Sequence, residues 1–341
     1  VDAFYDEQLA DICRRWQQIM PASAHLPELP MMVTLQAVQR LLLPTITAGY
    51  FPPKRYGLCF CNRSEATAPC HSVLREAAMH ATGEKGQRVV QYYARTDADG
   101  MLHCPPLQSD LDNNLLDGLI LLCVPPGLPT QPLLAGNSVP RLCVGVAGQV
   151  SLPHLPFLCL DKALFVQRAI AWLQSQHCRR IVAISNAQAD SAPWLQYLQP
   201  AVATAGMQLA EPPLLTLPLD SDLQDLIDSL FSHGQTVDAM VLCDDGLMGR
   251  IASALLLAGI AVPQQLQVVS RCCFPMHEYP LLPLTFLGLP AELLLATAMT
   301  VLDRIAAGNK PPAQLMLPVL FASEWQVVLD AQAALRRRSM V

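Results

Sequence analysis

With 341 residues the chain has room for two domains of ordinary size and a small appendage. Its 52% hydrophobic and 15% charged content excludes a disordered chain. A formal net charge of −6 excludes global attraction to nucleic acid or to an anionic membrane, so any such contact must be a local patch.

Residues 1–55 read as a separate helical piece: one helix around 5–19, a proline-interrupted turn at 21–30 and a second helix around 34–47, with Pro52–Pro53 as the joint to the rest of the chain. From residue 56 the pattern becomes strand, helix, strand. "RYGLCFC" is a buried strand, and residues 70–83 place Val73, Leu74, Ala77, Ala78 and Ala81 on one helical face. "QRVVQYYA", "LDGLILLC" and "RLCVGV" are further strands. The series then restarts with a helix over 162–177, the strand "RRIVAIS", a helix over 193–206, the strand "EPPLLTL", a helix over 219–233, the strand "DAMVLC", a helix over 246–258 and the strand "QLQVVS". Gly206 and Gly259 stand where helices should stop. Near-continuous apolar strands between helices require a mostly parallel sheet covered on both faces. Two such series mean two α/β lobes. "LPFLCLD" (155–161), "LTFLGLP" (284–290) and "LMLPVLF" (315–321) are the segments expected to pass between them, with a helix over 291–307 returning to the first lobe. The expected architecture is a helical head over 1–55 and a two-lobed domain over 56–341: lobe 1 at about 56–158 and 290–317, lobe 2 at about 161–285 and 319–341.

Twelve cysteines fall mainly inside apolar runs, with no CxxC pair and no zinc-finger spacing beside the Cys–His neighbours. They are expected to be buried, reduced thiols in a reducing cytoplasm, without metal. The adjacent pair Cys272–Cys273 leaves packing and redox readings open. "VDAFYDEQLADICRRW" carries charges where a signal peptide needs an apolar core, and no apolar run approaches the ~20 residues of a membrane span. GxSxG, GxxxxGK[ST], HExxH and a strand-borne GxGxxG are all missing from the sequence, and no histidine joins a nucleophile–base set. No catalytic residue, cofactor or metal is assigned, and the chain is read as a non-enzyme.

In an open α/β sheet, ligands sit at the carboxyl ends of strands. That rule gathers Asn62, Arg63, Asp161, Asn186, Asp244, Asp245 and Arg271 around one cleft between the lobes, with Trp194 or Phe274 as an aromatic able to cover an apolar sugar face. Asp244 has a second reading as the cap of the helix after it. Arg271 is either a cation in the cleft or a surface residue paired to a carboxylate.

Residues 237–273, with "DAMVL", Asp244–Asp245, "LLLAGIAVP" and "LQVVS" in order, resemble the effector domain of the LacI/GalR family of bacterial repressors. So do "LDKALFVQRAIAWLQSQHCRRIVAIS" (160–185) and "PLTFLGLPAELLLATAMTVLDRIAAGNKPPAQLMLPVLF". This resemblance covers about 56–325 and implies a periplasmic-binding-protein-like (type I) fold with three interlobe crossovers. Trp194 and Cys272–Cys273 stand where that family has a sugar-gripping arginine and a final Asp-Asp. "MMVTLQAVQRLLLPTITAGYF" (31–51) resembles the winged helix of the GntR family, with "ADICRRWQQIMP" as its preceding helix. That resemblance implies DNA contact through Thr34, Gln36, Gln39, Arg40, Lys54 and Arg55. Pro44 interrupts the recognition helix, and the head's cations Arg14, Arg15, Arg40, Lys54 and Arg55 are matched by Asp2, Asp6, Glu7, Asp11 and Glu28. Together the resemblances imply a homodimeric, cytoplasmic transcription regulator that binds a sugar-like effector between its lobes and operator DNA through its head. The alternative is a small-molecule-binding or protein-interaction module whose head does not bind DNA.

Overall fold

A strand that is apolar on both faces has to be covered on both, and the chain solves this twice. In the computed structural model the described residues are 54–61, 69–84, 87–97, 101–122, 139–145, 155–186, 192–217, 223, 226–227, 230–231, 237–276, 279–310 and 313–339. The first lobe is built on β1 (Arg55–Phe60), β2 (Arg88–Tyr93), β5 (Gly118–Leu122), β6 (Arg141–Gly145), β7 (Phe157–Leu160) and β13 (Gln314–Leu317). These form one sheet in the order β13-β7-β6-β5-β1-β2, parallel throughout. The second lobe uses β8 (Arg180–Asn186), β9 (Gln208–Leu217), β10 (Ala239–Leu242), β11 (Gln267–Phe274), β12 (Thr285–Pro290) and β14 (Leu320–Phe321). Their order is β14-β12-β11-β10-β8-β9, with β14 alone antiparallel.

Helices cover both sheets. The first lobe carries α1 (Pro69–Glu84) and α2 (Pro105–Asp112), and the second carries α3 (Lys162–Ser175), α4 (Ala192–Thr204), α5 (Met248–Leu257) and α7 (Ala322–Ser339). Helix α6 (Ala291–Ala306) comes after a second-lobe strand but packs on α1 and β5 of the first. The chain therefore passes between lobes three times: from β7 into α3, from β12 into α6, and from β13 into β14. This is the two-lobed, doubly wound architecture expected from the sequence. Gly206 and Gly259 end α4 and α5 with φ of +67° and +69°, a left-handed conformation that a side chain would resist.

Three details differ from expectation. "LMLPVLF" is not one crossing strand: Pro318 divides it, so β13 joins the first sheet and β14 the second. Strand β11 runs on to Phe274, which puts Arg271, Cys272 and Cys273 inside the ladder. Helix α2 and the small antiparallel pair β3 (Arg95–Thr96) and β4 (Leu102–His103) were not foreseen. Pro105 and Pro106 open α2, since proline fits the first helical turn, where no amide donor is needed.

The second lobe is tied to the C-terminal helix by a buried ion pair. The Arg168 guanidinium on α3 pairs with Glu324 in the first turn of α7, and also donates to the Val319 carbonyl at 2.6 Å. Glu324 in turn accepts the Phe321 amide at 2.7 Å. Both side chains are 2% exposed. The third crossing is thus held by charge-assisted bonds as well as by packing.

Candidate functional site

The parallel strands of each sheet end at the gap between the lobes, so residues just past those ends face one another across it. On the second lobe, β10 ends into Cys243, Asp244 and Asp245. Asp244 is extended (φ −137°, ψ 128°), and its carboxylate accepts the Gly246 amide at 3.0 Å, capping the short turn Asp245–Leu247. The capping reading of Asp244 therefore describes a real bond, made while the side chain stays half-buried.

Asp245 is 4% exposed and serves two donors. Its Oδ1 accepts from Arg271 Nη2 at 3.1 Å, and its Oδ2 accepts the backbone amide of Cys70 at 2.9 Å. Arg271 is accordingly a cation paired to a carboxylate within the gap. Burial works against its charge, but Asp245 and then Asp244 outweigh that and hold its pKa above the usual arginine value.

Asp161 is the N-cap of α3 and accepts the Leu164 amide at 2.9 Å. Lys162 comes next, 3% exposed, with its ammonium 4.8 Å from the centroid of the Trp194 ring. Trp194 itself is 1% exposed and packs edge-on against Phe165 at 5.6 Å. It is part of the core beneath the gap rather than a platform on its surface. Asn186, the last residue of β8, is buried at the strand's carboxyl end.

The first lobe contributes an aromatic cluster that was not foreseen. Phe60, ending β1, stacks on Tyr93, ending β2, with centroids 5.1 Å apart and planes 9° from parallel. His71 of α1 meets Phe60 edge-on at 5.4 Å. The strand-end rule already contained this signal, because Phe60 and Tyr93 are terminal residues of neighbouring parallel strands.

The lobes are also joined covalently. Cys70, in the first turn of α1, forms a disulfide with Cys273 near the end of β11, with Cα atoms 5.1 Å apart. The expectation of reduced thiols is corrected at this pair. It holds for Cys59, Cys61, Cys104, Cys143, Cys159, Cys178, Cys243 and Cys272, all free and buried. The adjacent cysteines divide the two readings between them: Cys272 packs in the core with Phe274, Leu293 and Trp325, while Cys273 faces the other lobe. Spacing could not reveal a partner 203 residues away; only the topology brings a helix start and a strand end together.

Asn62, Arg63, Thr34, Gln36, Gln39 and Arg40 lie outside the described residues, as does the head expected over 1–55 up to residue 53. Lys54 and Arg55 are described, and both are engaged by the first lobe. Lys54 Nζ lies 2.8 Å from Asp303 Oδ1, which also accepts the Tyr56 hydroxyl at 2.6 Å. Arg55 Nη2 lies 2.6 Å from Asp110 Oδ2, which accepts the Tyr92 hydroxyl as well. Among the described residues no three histidine, cysteine or acidic side chains converge as metal ligands, and no helix is long and apolar enough to cross a membrane.

Residues 170–321 match the family model described as a periplasmic binding protein-like domain. That match spans less than half of the chain, and solved structures of transcription regulators share the chain's fold. Among them is the transcription regulator CcpA of Lactococcus lactis, with a TM-score of 0.59 and 16% identity, covering 79% of this chain and 97% of that one. The transcriptional regulator CelR in complex with cellobiose gives a TM-score of 0.61 and 22% identity, over 84% of this chain and 89% of that one. A periplasmic binding protein/LacI transcriptional regulator from Alkaliphilus metalliredigens, complexed with D-xylulofuranose, gives 0.56 and 15%, over 79% and 97%. No curated protein matches by sequence.

Proposed function

We propose that the protein is a ligand-responsive transcription regulator. It takes a small, sugar-like molecule between its lobes, binds operator DNA through the N-terminal winged helix as a homodimer, and performs no catalysis. One observation carries the reading: Asn186, Asp244 and Asp245 stand at the carboxyl ends of second-lobe strands, with Arg271 of β11 paired to Asp245, while the Phe60–Tyr93 stack stands at the carboxyl ends of first-lobe strands. Carboxylate, amide and guanidinium groups serve hydroxyls, and an aromatic pair serves the apolar face of a sugar ring. The sugar complexes of two proteins with this fold support the choice of effector. Closure on a ligand acts as a population shift, reaching the head only to the extent that the ligand prefers one lobe arrangement.

The test is a thermal-shift screen of the full chain, kept reduced, over pentoses, hexoses, disaccharides, uronates and nucleosides. It is paired with fluorescence anisotropy on DNA from the protein's own gene neighbourhood at two salt concentrations. A hit that also changes a steeply salt-dependent DNA affinity supports the whole reading. Light scattering of the same sample reads the oligomeric state. Exposed Leu257, Tyr279 and Leu281 on the second lobe supply apolar surface for a partner subunit.

A second reading rests on Lys54 and Arg55. Two of the head's few cations are bound to Asp303 and Asp110 of the first lobe rather than held free for phosphate. A ligand hit with no DNA binding at low salt favours a binding or interaction module whose head no longer reads DNA.

A further inference from the structure

We propose that Cys70 and Cys273 form a reversible thiol-oxidation site that locks the two lobes together. The proposal rests on the two-lobed fold and not on the identity of any effector.

Three observations meet at the pair. The bond runs between lobes, from the first turn of α1 to β11, and closes a loop of 203 residues. Beside it, the Asp245 carboxylate of the second lobe accepts the Cys70 amide of the first, so the covalent link and a charge-assisted hydrogen bond close the same edge of the gap. Access differs between the cysteines of this region: Cys70 is half-buried, whereas Cys272 and Cys243 are sealed in apolar packing. A thiol that is not sealed, in the first turn of a helix, is where a thiolate is stabilised and reached by oxidant.

The chemistry balances with a hydroperoxide as oxidant. The Cys70 thiolate attacks the terminal peroxide oxygen, the O–O bond breaks, and Cys70 becomes a sulfenic acid while the oxidant leaves as an alcohol or water. The Cys273 thiolate then attacks the Cys70 sulfur, the S–O bond breaks, and water departs as the disulfide forms. Two thiols lose two electrons and two protons, and the peroxide takes up both. A dithiol reductant reverses the change by two exchange steps, ending with the disulfide on itself. With the bond in place the lobes cannot part at this edge, so a solute is neither admitted nor released by the opening on which a hinged domain depends. After reduction, the Asp245–Cys70 hydrogen bond and the packing of α1 against β11 remain at this edge, without a covalent link.

The experiment uses the full chain, treated with hydrogen peroxide or with dithiothreitol. Peptide mapping without reduction is expected to recover a Cys70–Cys273 crosslink after peroxide and to lose it after dithiothreitol. Hydrogen exchange in the first turn of α1 and in residues 244–247 is expected to slow at least tenfold on oxidation. Cys70→Ser or Cys273→Ser should abolish that difference, and Cys272→Ser should preserve it. The proposal is overturned by a different cysteine pairing, by no pairing, or by a Cys70–Cys273 bond that leaves exchange within twofold of the reduced chain. Because wild type is compared with itself, a misfolded variant does not decide the outcome. A blank sugar screen leaves the result untouched.

Discussion

The carboxylate of Asp245, in the second lobe, accepts the backbone amide of Cys70, in the first, at 2.9 Å. The early amides of a helix have no partner within it, and a carboxylate placed there answers both the missing acceptor and the helix dipole. The same carboxylate balances Arg271, whose side chain is 11% exposed. Removing it strands a largely buried guanidinium. Asp245→Ala is therefore expected to lower the stability of the reduced chain by about 3 kcal/mol in urea unfolding. Asp244→Ala, which removes a turn cap, should lower it by about 1 kcal/mol. A smaller effect at Asp245 than at Asp244 would mean that the interlobe contact does not persist in solution.

The ion pair of Arg168 and Glu324 is the clearest case in the molecule where partners should be removed together. Either single change leaves one charge in a site that is 2% exposed, with Val319 or Phe321 deprived of its partner as well. Arg168→Met and Glu324→Leu should each destabilise by about 3–5 kcal/mol, and the double variant by markedly less than their sum. Denaturant unfolding of all four chains reads the coupling directly. Simple additivity would show that the pair contributes nothing beyond packing.

Much of the fold was legible because its signals are local. Apolar strands such as 119–122 and 239–242, the glycine stops at 206 and 259, and the three apolar runs at the crossings each come from a short stretch of chain. What escaped depends on distance. Cys70 and Cys273 look like two more buried thiols until the topology places a helix start beside a strand end. Asp245 looks like half of a polar turn until its partner on the other lobe is seen. Arg271 posed a genuine either-or in the sequence, since residue type fixes neither burial nor partner; the structure pairs it with Asp245, as one reading had it, but largely buried rather than on the surface. Trp194, read as an aromatic able to cover a sugar face, is turned inward by its helical phase, which residue type alone does not show.

That inward position gives Trp194 a distinct expectation. The ring is 1% exposed, its Nε1 has no hydrogen-bond partner among the described residues, and it packs against Phe165 under the Lys162 ammonium. Trp194→Phe forfeits volume but no hydrogen bond, and should lower stability by about 1–2 kcal/mol. Trp194→Ala, which opens a cavity, should lower it by about 3–5 kcal/mol. Neither route touches a ligand, so the phenylalanine variant should keep the affinity for any screened effector within twofold. A tenfold loss by titration calorimetry, with the variant still folded, would return Trp194 to the binding surface.

Buried thiols set the alkaline limit of the reduced chain. Burial first of all pushes Cys143 and Cys243 from their ordinary value of 9.0 to about 12, and Cys178 to about 11, with Asp238 adding to the shift at Cys178. At Cys243 the Asp244 carboxylate adds to burial, while Arg271 and Lys162 oppose it. Below pH 9 these thiols are neutral in both folded and unfolded chains, and their contribution to stability is complete. Above it the unfolded chain releases their protons while the folded chain retains them, so stability falls as the pH climbs towards 11 or 12. Each cysteine adds up to about 1.4 kcal/mol per pH unit to that slope. Urea midpoints measured between about pH 8 and 10.5 should therefore drop steeply and reversibly. Cys243→Ala should lower the curve at about pH 8 through the lost volume and flatten it above about pH 9 by one cysteine's share. An unchanged slope in that variant would mean that Cys243 ionises as readily in the folded chain as in the unfolded one.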